Sequence, residues 1–344
     1  MDFLAVSDAF VGESHYQDAV QLLNSKGHSL QIVPWGPAGK VELENIIRAM
    51  EKKGPRFDES LVEISRALEG KQGLLVDFAP VPADLMRGVK LIGVCRANTS
   101  NVELNEATAR GIPVIAVAGR NAEAVAEFTL GLMLAESRHI ARSHCNLIHG
   151  KWLKDYGDDP NELGGKTIGI IGFGSIGRAV AKKLSGFDCK ILYHDPFVSD
   201  GNHGAEKVPL DRLLRESHFV TIHVRLTKET MHLIGREQIE LMKPSAYLIN
   251  TARSEIVDQD ALIKALASSR IRGAALDVFV DEPLPAASPL LTLANVTLTP
   301  HMGGSTQESL SRSPLLLVQN ILKYLSGDYD CNIQNRSVLE HRHA

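Results

Sequence analysis

The chain has 344 residues, enough for two domains, with 44% hydrophobic and 23% charged residues, the balance of an ordinary globular enzyme. A formal net charge of −4 gives no electrostatic case for nucleic acid or an anionic membrane as partner. No apolar stretch is long and clean enough to span a bilayer, the first residues lack the basic and apolar regions of a signal peptide, and Cys95, Cys145, Cys189 and Cys331 form no CxxC pair, so a cytoplasmic protein with reduced thiols is expected.

The first third alternates between strand and helix patterns. Strands are predicted at 3–7, 29–33, 73–76, 91–94 and 113–117, and helices at 16–26, 42–53, 60–68 and 102–110. This βαβ rhythm implies a small parallel sheet. Ala118, Gly119, Arg120 and Asn121 read as a hinge, followed by a long helix from 122 to about 139 and a less regular polar stretch containing Trp152. From Lys166 a second series begins, with strands at 168–172, 190–194, 219–224, 246–250, 273–277 and 295–299. Helices are predicted between most of them, at 177–185, 210–216, 236–242 and 259–267. A last helix is expected at 306–325, returning to the first domain, and then a polar surface tail from Gly327. The fold class is therefore α/β with two domains, divided as 1–118 plus 300–344 and 119–299.

The second series opens on Ile170-Ile171-Gly172-Phe173-Gly174-Ser175-Ile176-Gly177, a Gly-x-Gly-x-x-Gly where a strand turns into a helix. Gly172 suits the tight turn, Gly174 the approach of a pyrophosphate and Gly177 the close packing of helix on strand. Ser175 and Ile176, within the turn, are expected beside the cofactor, ahead of a helix whose N-terminal N–H groups attract phosphate. The glycines alone are weak evidence, since most glycines in turns are only turn residues. Asp195, at the end of the next strand, strengthens them: a carboxylate there accepts from both ribose hydroxyls and repels a 2′-phosphate. NAD is expected ahead of NADP.

Ligands of an open α/β sheet bind beyond the carboxyl ends of its strands. The later strands end in His223, in Asn250-Thr251-Ala252-Arg253, in Asp277 followed by Glu282-Pro283, and in Thr299-Pro300-His301. Arg253 offers a planar fork of donors that matches a carboxylate or a 2-oxo acid. His301 can exchange a proton near neutral pH, and Glu282 can hold the imidazole in orientation. Singly, these would be read as a surface charge, a turn residue and a helix cap. Together, at successive strand ends behind a dinucleotide fingerprint, they form a site for hydride transfer. His223 is expected to line the cofactor cleft. The remaining histidines have no metal-ligand spacing with acidic partners, and no metal is expected.

These segments, with Asp277-Val278-Phe279-Val280-Asp281-Glu282-Pro283 and Thr299-Pro300-His301-Met302-Gly303-Gly304, resemble the signatures of the D-isomer-specific 2-hydroxyacid dehydrogenases. The resemblance spans nearly the whole chain. It implies a Rossmann NAD-binding domain, a discontinuous flavodoxin-like substrate domain made from both chain ends, and a homodimer built through the nucleotide domain. It also implies that Arg253 binds the substrate carboxylate and carbonyl, that Glu282 supports His301, and that His301 exchanges the proton. Thr251, Asp277 and Gly303 then join the cofactor-binding residues, and a substrate-domain loop holding Arg96, Ala97 and Asn98 meets the substrate carboxylate.

The chain departs from the family pattern in three places. The substrate loop reads Ala97-Asn98-Thr99-Ser100 where glycine is usual. Val76-Asp77-Phe78-Ala79-Pro80 lacks the arginine of phosphoglycerate dehydrogenases, which leaves Arg96 as the phosphate partner for such a substrate. Ser254 and Arg225 replace a frequent Gly and Pro. A small D-2-hydroxy acid is the expected substrate. The alternatives are a phosphoglycerate-type or sugar-acid dehydrogenase, for which the polar 98–100 run speaks, and an NAD-sensing corepressor-like binding module.

Overall fold

The computed structural model describes every residue except 57, 158, 343 and 344, and the side chains of 51, 52, 341 and 342 are left out. The chain divides into two compact units, Met1–Arg120 with Thr306–Ala344, and Asn121–Ser305. The boundaries expected from sequence, 118/119 and 299/300, fall a few residues earlier.

Among the described residues, the first unit carries β1 (Asp2–Ser7), β2 (Ser29–Pro34), β3 (Gly73–Val76), β4 (Leu91–Val94) and β5 (Val114–Ala116). They form one parallel sheet in the order β2-β1-β3-β4-β5. The order in which strands are added to the sheet reverses between β1 and β3, the switch point of a flavodoxin-like order. Both faces are covered. Leu4 and Val6 join one apolar cluster with Leu74, Val76 and Ile92, while Phe3 and Ala5 join the opposite one with Leu75, Leu317 and Ile321. That period-2 split of a continuous apolar run is what a two-sided parallel strand requires.

The second unit carries β6 (Thr167–Ile171), β7 (Lys190–His194), β8 (Glu206–Lys207), β9 (Phe219–Ile222), β10 (Tyr247–Asn250), β11 (Gly273–Leu276) and β12 (Val296–Leu298). Their order, β12-β11-β10-β9-β6-β7-β8, is that of a doubly wound dinucleotide fold, with the switch point between β6 and β9. The α/β architecture read from the sequence is the architecture observed. The two-residue edge strand β8 was too short to show a period.

Three expectations need correction. The polar stretch after residue 139 is not irregular throughout: His139 takes a left-handed φ of 55° and ends one helix, and another follows at Ile140–Ile148. None of the residues of that second helix is buried, so no core-facing stripe announced it. The C-terminal helix is two helices, Gln307–Ser311 and Ser313–Leu325, because Pro314 lacks the N–H needed to continue the first. The tail from Gly327 is not a surface segment. Cys331, Ile333 and Val338 are buried, Ile333 bridges Ile115, and Asn335 donates to the carbonyl of Ile112 at 2.9 Å. The last two residues of that tail lie outside the described ones.

Candidate active site

The glycine turn follows β6 directly. Gly172 has φ 90°, and a Cβ there would lie 2.7 Å from the backbone of His223. A Cβ on Gly177 would lie 2.2 Å from the carbonyl oxygen of Gly172, so the helix Ser175–Leu184 can approach the strand only with glycine at that point. At Gly174 a Cβ would meet nothing within 4 Å. Two glycines are thus required by the chain's own packing, and the third opens onto space at the helix N-terminus, with Ser175 and Ile176 as the first helical residues. Asp195 stands beside this turn. Its carboxylate accepts from the N–H of Phe173 at 2.8 Å and from that of Phe197 at 2.9 Å.

His223 closes the other side of the switch point. Its Nε2 pairs with the Thr221 hydroxyl at 2.9 Å, while its Nδ1 is buried without a partner. Burial pushes this imidazole down to about 3, so the ring is neutral at working pH. An open cradle at Gly174 and an orphaned ring nitrogen opposite it both fit a dinucleotide laid across the crevice.

His301, Glu282 and Arg253 come from three strand ends. The imidazole Nδ1 of His301 lies 2.9 Å and 3.1 Å from the two carboxylate oxygens of Glu282. Glu282 also accepts from the N–H of Phe279 at 3.1 Å, which ties the carboxylate to its own turn. His301 sits at φ 54°, a conformation that costs a non-glycine residue about 1–2 kcal/mol. Asp277 holds it there. One of its oxygens accepts from the Thr299 hydroxyl at 2.7 Å and Met302 N–H at 2.9 Å, the other from Gly303 N–H at 2.8 Å. Asp277 and Gly303, expected as cofactor contacts, are placed together as the anchor of the histidine loop. Among the described residues no group of three or more His, Cys, Asp or Glu could hold a metal ion.

Arg253 is exposed, with one guanidinium nitrogen donating to the Ala252 carbonyl at 2.7 Å. Its turn is shaped by Asn250, a buried residue that sequence reasoning quoted but did not single out. Asn250 Oδ1 accepts from Ala252 N–H at 3.0 Å and its amide donates to the Arg253 carbonyl at 2.9 Å. The signal was available: an Asn at a strand end, two residues before a needed turn, is a side-chain turn maker. Thr251 pairs through its hydroxyl with Thr129 at 3.1 Å, on the helix Ala122–Ser137.

The remaining expected residues lie in the first unit, after β4. Arg96 is 7% exposed, and its guanidinium is committed to the Asp77 carbonyl at 3.1 Å, to Asn101 Oδ1 at 3.2 Å and to the face of Phe78 at 4.2 Å. It braces its loop from within. Ala97 and Asn98 are exposed, and the Asn98 side-chain oxygen turns back to accept from Ser100 N–H at 2.9 Å.

The family profile described as D-isomer specific 2-hydroxyacid dehydrogenase, NAD binding domain, matches residues 130–303. A putative 2-hydroxyacid dehydrogenase of Bacillus subtilis is 37% identical over 321 residues, covering 89% of this chain and 92% of its own. A glyoxylate reductase of Thermofilum pendens is 42% identical over 299 residues, covering 85% and 88%. The crystal structure of the TT0316 protein of Thermus thermophilus, 30% identical, superposes with a TM-score of 0.72 over 97% of this chain and 100% of that one. With the glycine turn, the strand order and the His301–Glu282 pair in place, the chain belongs to the D-isomer-specific 2-hydroxyacid dehydrogenase family and is an NAD-dependent oxidoreductase transferring hydride between nicotinamide and C2 of a 2-hydroxy or 2-oxo acid.

Proposed function

We propose that His301 is the proton-exchanging residue, Arg253 the carboxylate anchor and Glu282 the support of His301, acting on a small D-2-hydroxy acid with NAD preferred over NADP. The observation that carries this is the Glu282 carboxylate on Nδ1 of His301. With Nδ1 committed, Nε2 is the ring atom left to exchange a proton. In the reducing direction Nε2 gives its proton to the oxygen on C2, and in the oxidising direction it takes the proton back. A nicotinamide held there would supply or accept the hydride at C2. The exposed guanidinium of Arg253 pairs with the carboxylate on C1 and fixes which face of C2 is presented. The cofactor would be held by Gly172, Gly174, Ser175, Ile176 and Gly177 at its phosphates, by Asp195 at its adenosine ribose, and by His223, Thr251, Asp277 and Gly303 along the crevice.

The preference for NAD rests on Asp195, whose charge would repel a 2′-phosphate. The first unit serves as the substrate domain, where the backbone of Ala97 and Asn98 meets the carboxylate and Arg96 keeps that loop in shape. The enzyme works as a homodimer through its nucleotide unit. Support for this comes from the helix Ile140–Ile148 and the residues after it, where Ile140, Leu147, Ile148 and Trp152 are exposed. A cytoplasmic location agrees with four free thiols.

The test is NADH and NADPH oxidation against glyoxylate, pyruvate, hydroxypyruvate, phosphohydroxypyruvate and larger 2-oxo acids, with the molar mass in solution measured alongside. Turnover with NADH at least about tenfold faster than with NADPH, from a dimer, is expected. Tight NADH binding with no turnover of any acid would favour a binding module instead.

A further inference from the structure

The helix Ala122–Ser137 lies against the sheet of the second unit, where its Ala126 and Met133 join Ile249 of β10 and Ala275 of β11 in one apolar cluster. None of its residues is a cofactor or substrate contact in the reading above, yet it borders two of the turns that build the site. A Cβ on Gly303, in the histidine loop, would lie 3.4 Å from the ring of Phe128. The hydroxyl of Thr251, one residue past β10, lies 3.1 Å from that of Thr129.

Proton counting fixes the direction of that last bond. Thr129 is fully buried, and its hydroxyl is also 2.8 Å from the carbonyl oxygen of Val125, one turn back on the same helix. A carbonyl only accepts, and a hydroxyl carries a single proton. Thr129 therefore donates to Val125, since otherwise two acceptor oxygens would face each other at 2.8 Å with no proton between them. Toward Thr251 the Thr129 oxygen is then an acceptor, and Thr251 donates to it. With its proton turned into the helix, half-buried Thr251 has only lone pairs left to offer.

That polarity sorts the groups of a dinucleotide. Phosphate oxygens are acceptors and gain nothing from it; they suit the free N–H groups at the glycine turn. A carboxamide NH2 and a ribose hydroxyl are donors and do gain from it. We propose that Thr129 is a positioning residue: by accepting the Thr251 proton it presents Thr251 to the cofactor as a hydrogen-bond acceptor only, for a donor on the nicotinamide riboside half, either the carboxamide NH2 or a ribose hydroxyl. This rests on the placement of Thr251 along the cofactor crevice given above.

The experiment measures the affinity of the full chain for NADH, ADP-ribose and ADP, by fluorescence and calorimetry, in wild type, Thr129→Val, Thr129→Ser and Thr251→Val. Thr129→Val keeps the shape of the side chain and removes the acceptor, which frees the Thr251 proton to turn toward the cofactor. NADH should then bind about 5- to 10-fold more weakly and ADP as in wild type, while Thr129→Ser should hold NADH within about twofold of wild type. A loss shared by ADP-ribose identifies a ribose hydroxyl as the donor, and a loss confined to NADH identifies the carboxamide. The proposal is overturned if Thr129→Val binds NADH within about twofold of wild type, if ADP is weakened equally, or if Thr129→Ser is as weak as Thr129→Val, which would make packing and not the hydroxyl the cause. Thr129→Ala and Thr129→Ser both lack the methyl and differ in the hydroxyl, so the two compared give the answer if Thr129→Val does not fold. Thr251→Val separates this inference from the reading beneath it. If it leaves NADH binding unchanged, Thr251 is not at the cofactor and both fall; if it weakens NADH binding and Thr129→Val does not, only the role of Thr129 falls.

Discussion

The carboxyl edges of the two sheets are built on opposite plans. In the second unit the edge is an open frame: an empty direction at Gly174, an orphaned nitrogen on His223, an exposed Arg253 and a histidine held by one carboxylate. In the first unit the polar groups of the edge turn mostly to one another and to the backbone. Arg96, Asn101 and Arg120 donate to Asp77, and Asp8 accepts from the N–H groups of Phe10, Val11 and Phe78, beneath two phenylalanines. The first plan leaves polar groups for a ligand to complete, and the second uses its polar groups to fix a shape. The proposed cofactor and proton-exchange residues all lie on the open frame.

The comparison breaks most readily at Arg120. Its guanidinium donates to Asp77 at 2.9 Å, to the Cys95 carbonyl at 3.0 Å and to the Ser313 hydroxyl at 3.3 Å. Asp77 is fully buried, and its second oxygen is buried without a partner. Arg120→Met leaves that carboxylate uncompensated and should cost the first unit about 3–5 kcal/mol in denaturant unfolding. A loss below about 1 kcal/mol would show that the first unit's edge does not depend on its charges.

The two edges also respond to pH with opposite sign. Burial and the nearby Asp77 raise Asp8 to about 6, while an unfolded chain releases that proton near its ordinary value of about 4. Between these values the folded state binds more protons, so stability from this group falls as pH rises through the window, by up to about 3 kcal/mol. His223 works the other way. Its folded pKa is depressed to about 3, the unfolded chain takes up the proton below about 6.5, and stability falls as pH drops through that range. Asp8→Asn should therefore steepen the loss of thermal stability on acidification from pH 6 to 4, and His223→Gln should make it shallower. Equal acid limbs in all three proteins would contradict both assignments.

The smallest effect expected is at Gly174. Because a side chain there meets no protein atom, Gly174→Ala should leave unfolding within about 0.5 kcal/mol of wild type and weaken NADH binding about tenfold. Gly177→Ala, whose Cβ would strike the Gly172 carbonyl, should lower both. If Gly174→Ala bound NADH as the wild type does, the cradle would not be where the phosphates lie.

The open edge was largely legible in the sequence because its parts are residue types with few other uses in that pattern. Three glycines at fixed spacing, an Asp at the next strand end and a Glu followed by a His each carry a mechanism that can be read without coordinates. Asn250 was passed over because its role is to shape a turn for Arg253, and that appears only as two hydrogen bonds. Asp277 was named as a cofactor contact, and its grip on the histidine loop through both oxygens was not legible in the sequence. The first unit's edge was mostly illegible. Arg96 read as a cation for a substrate, and its work as a brace was not legible, because a backbone carbonyl and a ring that it meets are separated from it by many residues of chain. Phe10 and Phe78 stand 68 positions apart in sequence and meet only through the pairing of β1 with β3. The helix Ile140–Ile148 was hidden for a related reason, since it faces no core of its own unit.

The central claim is that His301, held by Glu282, moves the proton at the open edge. Its most direct test is the single-turnover rate of NADH oxidation at a saturating 2-oxo acid in wild type and His301→Ala, with NADH affinity measured by fluorescence in both. A fall of about 10²- to 10⁴-fold in the rate, with NADH still bound, is the expected result. A fall of less than about tenfold would contradict it.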